Sequence, residues 1–156
     1  MNPRPAEFLT EFQALDITEG RATHTLRLVA PLTVYSGVLD AVVTVPQGFE
    51  FDGESIPAFL QWLVPPFGQS KRGAGVHDYL YRYAGFHDAT GHVHPVPRAQ
   101  ADAVYRELIE AKGLPVWRGR MRWAVLRLVG WSAWEGNSAT HGLNLPSSKQ
   151  PPTTRL

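Results

Sequence analysis

The spacing of apolar residues changes period along the chain, and that change limits the fold more than any other feature. In the first third, apolar residues recur at every second position; after residue 70 they recur at three- and four-residue steps. A two-residue repeat lines one face of a strand, whereas a 3.6-residue repeat makes a helical stripe. Phe8–Phe12, Thr23–Val29, Leu32–Tyr35 and Ala41–Val45 carry the strand pattern, with a turn at Thr18-Glu19-Gly20-Arg21. They predict an antiparallel meander. Pro46-Gln47-Gly48 ends it, and a loop from Phe49 to Ser55 leads into a short helix near Ile56–Leu63, which Pro65-Pro66 breaks. The spacing then predicts a helix from about Ser70 to Tyr83 and a loop from Gly85 to Pro97. An amphipathic helix follows from Arg98 to Lys112, with Ala101, Val104, Tyr105, Leu108 and Ile109 as its stripe, and a last helix runs from Pro115 to about Trp134. The expected class is α+β: an N-terminal antiparallel sheet of three or four strands, then a helical half of three or four helices. Residues 1–135 are expected to form a single domain and residues 136–156, polar and proline-rich, an extended tail.

Composition narrows the function classes. A chain of 156 residues with 44% apolar and 19% charged residues suits one globular domain. Its net charge of +1 gives no general reason to expect nucleic acid as a partner. The absence of cysteine excludes disulfides and thiolate metal sites and fits synthesis in a reducing cytoplasm. The N-terminal residues lack the apolar core of a signal peptide, and the longest apolar run, Trp123 to Trp134, is too short to span a bilayer. No transmembrane segment is expected.

The densest candidate chemistry lies at Val76-His77-Asp78-Tyr79-Leu80-Tyr81. Histidine is the side chain most easily tuned to exchange a proton near neutral pH, and it becomes a useful base when a carboxylate holds its other ring nitrogen. Asp102, about one helix later, supplies that carboxylate if the two helices pack antiparallel. Asp78 points about 100° away from His77 around a helix, so it suits a cation or the loop above the site. Asp52 and Ser55, from the preceding loop, line the cavity together with Tyr81. Each residue also has a plainer reading. Asp102 sits near a helix start, where a carboxylate favours the dipole; Ser55 is a ready helix cap; Asp52-Gly53 is a ready turn. A competing zinc site is offered by His87, Asp88, His92 and His94 in the loop before Pro97.

Trp123, Arg127, Trp131 and Trp134 share a face of the last helix. That face belongs either inside a bundle or at an interface, where Trp and Arg are enriched; a helix lying on a membrane surface would show the same residues.

Three ordered motifs carry a resemblance. Val45-Pro46-x-Gly48-Phe49-x-x-Asp52-Gly53-x-Ser55-Ile56-Pro57, then His77-Asp78-Tyr79-Leu80-Tyr81, then Arg98-x-x-Ala101-Asp102-x-x-Tyr105 resemble the domain-of-unknown-function 1353 family, over roughly residues 41–134. That resemblance implies a bacteriophage or prophage origin, often near tail genes. The order His77, Asp78, Tyr81, Asp102 is also similar to secreted phospholipase A2 enzymes. That similarity implies that His77 activates water, Asp102 orients it and Asp78 helps hold calcium. The glycine- and cysteine-rich calcium loop and the disulfides of that family are missing.

Two functions therefore stand side by side. One is a phage-encoded, virion- or tail-associated protein with a hydrolase-like His77–Asp102 site, acting on a lipid ester or a cell-envelope bond. The other is a noncatalytic tail or assembly component, binding neighbouring phage structural proteins through its last helix and tail. Either reading expects synthesis in the host cytoplasm and then a place in the virion.

Overall fold

A computed structural model describes residues 4–20, 24–52 and 69–111, with Trp117 and Ala124. Eight strands and two helices follow in the order β1 (Glu7–Phe8), β2 (Ala14–Asp16), β3 (Thr25–Leu28), β4 (Leu32–Ser36), β5 (Ala41–Val45), β6 (Glu50–Asp52), α1 (Gln69–Tyr83), β7 (Gly85–His87), β8 (Val93–Pro95) and α2 (Arg98–Glu110). The class is α+β, as the change of period indicates.

The expected single meander is in fact two antiparallel sheets of three strands, ordered β1-β4-β5 and β2-β3-β6. The strand pattern also extends past Pro46. Gly48 N–H donates to Leu28 O at 2.8 Å and Leu28 N–H to Phe49 O at 3.0 Å, which carries the β3 ladder into β6. Gly48, at φ +83°, makes the turn that a side chain would oppose. Alternation decides which faces turn inward. On β5, Val43 and Val45 are buried while Val42 and Thr44 face out. On β3, Leu26 and Leu28 point in, and Arg27 points out to meet Glu50 across the β6 ladder at 2.6 Å.

Helix α1 ends where Ala84 adopts φ +49°, and the chain turns back into β7. Residues 85–97, expected to be a loop, instead contain a hairpin in which Phe86 pairs with His94 and His87 with Val93. The stripe expected on α2 is buried in full, and α2 packs on α1. Gly73 faces Ile109 and Tyr105, His77 faces Tyr105 and Asp102, and Tyr81 faces Asp102 and Arg98. Rising numbers on α1 meet falling numbers on α2, so the two helices are antiparallel. Two glycines permit the close packing of α1. A Cβ on Gly73 would lie 3.2 Å from Ile109 Cγ2, and one on Gly75 3.2 Å from Phe51 Cζ. Val76 and Leu80 from α1, Val104 and Leu108 from α2, and Leu28, Val34, Val43 and Phe51 from the sheets meet in one core.

Glu107 ties α2 to the turn after β4. Its carboxylate accepts Ser36 Oγ–H, Gly37 N–H at 3.1 Å and Val38 N–H at 3.2 Å. Burial pushes the Glu107 carboxyl above its usual 4.5 despite these donors. Glu107→Ala strands three donors, and it should lower unfolding stability in urea by about 1–3 kcal/mol. Glu107→Gln, which keeps one acceptor oxygen, should lose less.

The short helix expected near residues 56–63, the last helix expected from Pro115 to about Trp134 and the tail at 136–156 lie outside the described residues, apart from Trp117 and Ala124, both helical. Two helices are described.

Candidate functional site

Asp102 interrupts the apolar stripe of α2, falling between Ala101 and Val104 with its side chain 0% exposed. A carboxylate there must be met by donors, because burying an unpaired charge costs several kcal/mol. Helix α1 supplies them. His77 Nε2 lies 3.1 Å from Asp102 Oδ1, and Tyr81, one helical turn further on, donates its hydroxyl proton to the same oxygen. Arg98, one turn before Asp102 on α2, donates its Nε–H to Tyr81 Oη at 3.2 Å and stands 3.8 Å from Asp102 Oδ2. The imidazole lies between two phenol rings, with centroids at 4.1 Å from Tyr81 and 5.3 Å from Tyr105.

The second imidazole nitrogen, Nδ1, faces Asp78 Oδ1 at 3.6 Å, longer than a hydrogen bond. Asp78 keeps 27% of its side chain exposed, whereas Asp102 keeps none.

Burial pulls the His77 pKa down, but the hydrogen bond that His77 donates to Asp102, the neighbouring Asp78 and the charges of both aspartates outweigh it and leave it above the ordinary 6.5. Burial likewise pushes Asp102 up. The bonds from His77 and Tyr81, with the charges of His77 and Arg98, overcome that and hold it below 3.8. Tyr81 is driven far upward by burial and by Asp102, so it stays a neutral donor.

The structure therefore brings His77, Asp102 and Tyr81 together and sets Asp78 beside them. Asp52 is the last residue of β6, with its side chain outside the described residues. Ser55, Trp123, Arg127, Trp131 and Trp134 also lie outside them. Arg98 and Tyr105 went unassigned in the sequence. The signal was present: both share a helical face with Asp102, four residues before it and three after.

Neither metal reading gains a ligand shell. Calcium takes six to eight oxygens. Among the described residues no group of three or more His, Asp or Glu is placed to hold a metal. In the hairpin, Asp88 Oδ1 caps the turn by accepting Thr90 N–H at 2.8 Å and His92 N–H at 3.0 Å, and Oδ2 meets His94 Nε2 at 2.8 Å. The bonds from Thr90 and His94 hold the Asp88 carboxyl well below its usual range. The residues of the competing zinc reading here form a hydrogen-bonded turn.

A family model described as a protein of unknown function (DUF1353) matches residues 26–126, which runs from within β3 through α2 and includes His77, Tyr81, Arg98 and Asp102. The chain belongs to the DUF1353 family. No curated protein and no solved structure matches it. The DUF1353 match spans both helices that build the site and the β3, β4, β5 and β6 strands beneath them. Among the described residues no helix is long and apolar enough to cross a membrane.

Proposed function

We propose that this DUF1353 chain is a phage-encoded, virion- or tail-associated protein whose His77 is the general base of a hydrolytic site. One observation supports it above the others: His77 Nε2 is held by a fully buried carboxylate, while Nδ1 faces Asp78, whose side chain is 27% exposed. In a neutral ring with its proton on Nε2, Nδ1 carries the lone pair. It takes a proton from water as the water oxygen adds to an ester carbon, and Asp102 stabilises the resulting imidazolium. The same proton then passes to the departing alkoxide. The order His77, Asp78, Tyr81, Asp102 is similar to that of secreted phospholipase A2 enzymes, and a lipid ester is therefore the first substrate class. A cell-envelope bond is the second, and either suits a particle that must pass a bacterial surface. The phage setting is what the family resemblance implies.

Hydrolysis of phospholipid vesicles and of soluble esters tests this reading. His77→Ala should lower kcat by about 10⁴-fold while leaving the circular dichroism spectrum intact. The rate of the native protein should rise with pH, with a midpoint above the ordinary histidine value of 6.5, since His77 must lose its proton to act. No turnover of any ester by the native protein, at any pH, would remove the proposal.

A second reading draws on the burial itself. With His77 6% and Asp102 0% exposed, the same groups make a lock between α1 and α2 in a noncatalytic assembly protein. Its partners would be neighbouring phage structural proteins, contacted through the tryptophan-rich segment and tail. In that case His77→Ala melts the fold and there is no activity to lose.

A further inference from the structure

The hydrogen bonds around Asp102 have a direction, and one residue sets it. Arginine carries only donors and keeps its charge at every accessible pH. The 3.2 Å contact between Arg98 Nε and Tyr81 Oη therefore runs one way, from Arg98 to Tyr81. With that lone pair occupied, the single hydroxyl proton of Tyr81 is directed at Asp102 Oδ1. The guanidinium, 17% exposed and 3.8 Å from Oδ2, also favours Asp102 as a carboxylate, which can only accept. The remaining contact to Oδ1, from His77 Nε2 at 3.1 Å, must then be supplied with a proton by the imidazole.

We infer that Arg98 is a positioning residue that fixes the tautomer of His77 through Tyr81 and Asp102, keeping the proton on Nε2 and the lone pair on Nδ1. Its catalytic consequence rests on the hydrolytic reading; the tautomer does not. Arg98 touches no reacting atom. Without it, Tyr81 Oη loses the donor that fixes its direction, Asp102 takes up a proton more readily, and the relay can reverse so that a protonated carboxyl donates to Nε2. The imidazole proton would then sit on Nδ1, facing Asp78, and the base would be lost.

Long-range proton–nitrogen correlation spectra of the ¹⁵N-labelled full chain, recorded above the pH at which the imidazolium ionises, read the tautomer directly. The native protein should show His77 with its proton on Nε2. Arg98→Gln should show a substantial share of the Nδ1–H form, with kcat on any ester it hydrolyses lowered roughly tenfold or more and KM nearly unchanged. Arg98→Lys, which restores a charged donor, should recover most of the native signature. Tyr81→Phe cuts the relay while leaving Arg98 in place, and it should mix the tautomers as well; it decides the matter if Arg98→Gln does not fold. A native protein with the proton on Nδ1, a folded Arg98→Gln that keeps Nε2–H unmixed, or a Tyr81→Phe that does so overturns the inference. An Arg98-dependent tautomer in a protein without turnover would reject the hydrolytic reading alone. Turnover with a tautomer indifferent to Arg98 would reject this inference alone.

Discussion

Asp102→Ala should destabilise the protein by about 3–5 kcal/mol, the range for removing one member of a buried charged pair. The penalty arises from what is left behind rather than from the pair's net strength. His77 Nε2 and the Tyr81 hydroxyl lose their common acceptor, and the Arg98 guanidinium loses its nearby carboxylate, all at a seam from which Asp102 itself is wholly excluded from water. The loss should also depend on pH. The folded-state pKa of Asp102 is lowered, so its contribution is present above 3.8 and fades as pH falls through the folded value. The folded-state pKa of His77 is raised, so its contribution is complete below 6.5 and fades as pH rises through the folded value. Urea denaturation of both proteins from pH 3 to 9 should therefore give the widest gap between those two limits. A gap that is flat with pH, or below about 1 kcal/mol, would show that the pair does not join the helices as described.

Phe51→Ala should cost as much by a different route and without the pH dependence. Phe51 is 1% exposed and is the largest of the fully buried side chains among the described residues. Its ring stacks on Phe49 at 6.2 Å and 15°, meets the edge of Phe12 at 6.4 Å, and lies against Gly75 of α1. Removing an aromatic ring from such a site typically costs about 3–5 kcal/mol, transfer and cavity together. Relaxation is limited here, because β6 is fixed by its ladder to β3 and Gly75 has no side chain to fill the space. Phe51→Leu, closer in volume, should lose less than half as much. Thermal unfolding at two pH values separates the two variants: the melting temperature of Phe51→Ala should fall by a similar amount at each, and that of Asp102→Ala should not.

The parts of this molecule that were legible in the sequence are those with a long enough repeat. Leu32–Ser36 and Ala41–Val45 each run for five residues, rich in β-branched and aromatic side chains, and α2 gives three helical turns of stripe. The three-residue strands β2, β6, β7 and β8 offer too few positions to reveal a period, and their partners are chosen by tertiary contact. The first strand shows how a pattern misleads. Phe8 to Phe12 reads as a strand in the sequence, but only Glu7–Phe8 pairs regularly, because Leu9 N–H and Thr10 N–H both turn to Thr33 O and the ladder stops there. In the site, His77 and Asp102 could be picked out because each is a polar residue inside an apolar stripe. Arg98 shares a helical face with Asp102, but that spacing is also that of a solvated charge opening a helix, so its role shows only once Tyr81 is known to face it.

The two small residues on either side of Ala74 have a consequence for the order of events. Each glycine in a helix interior weakens it by about 0.8–1 kcal/mol relative to alanine, and α1 also has no acidic side chain in its first turn to favour the dipole. Segment 69–83 is therefore a poor helix on its own account and is held in shape by Phe51 on one flank and Ile109 on the other. The imidazole is aimed only where sheet and partner helix close around it, so that a nascent or partly degraded chain carries the same residues without their arrangement.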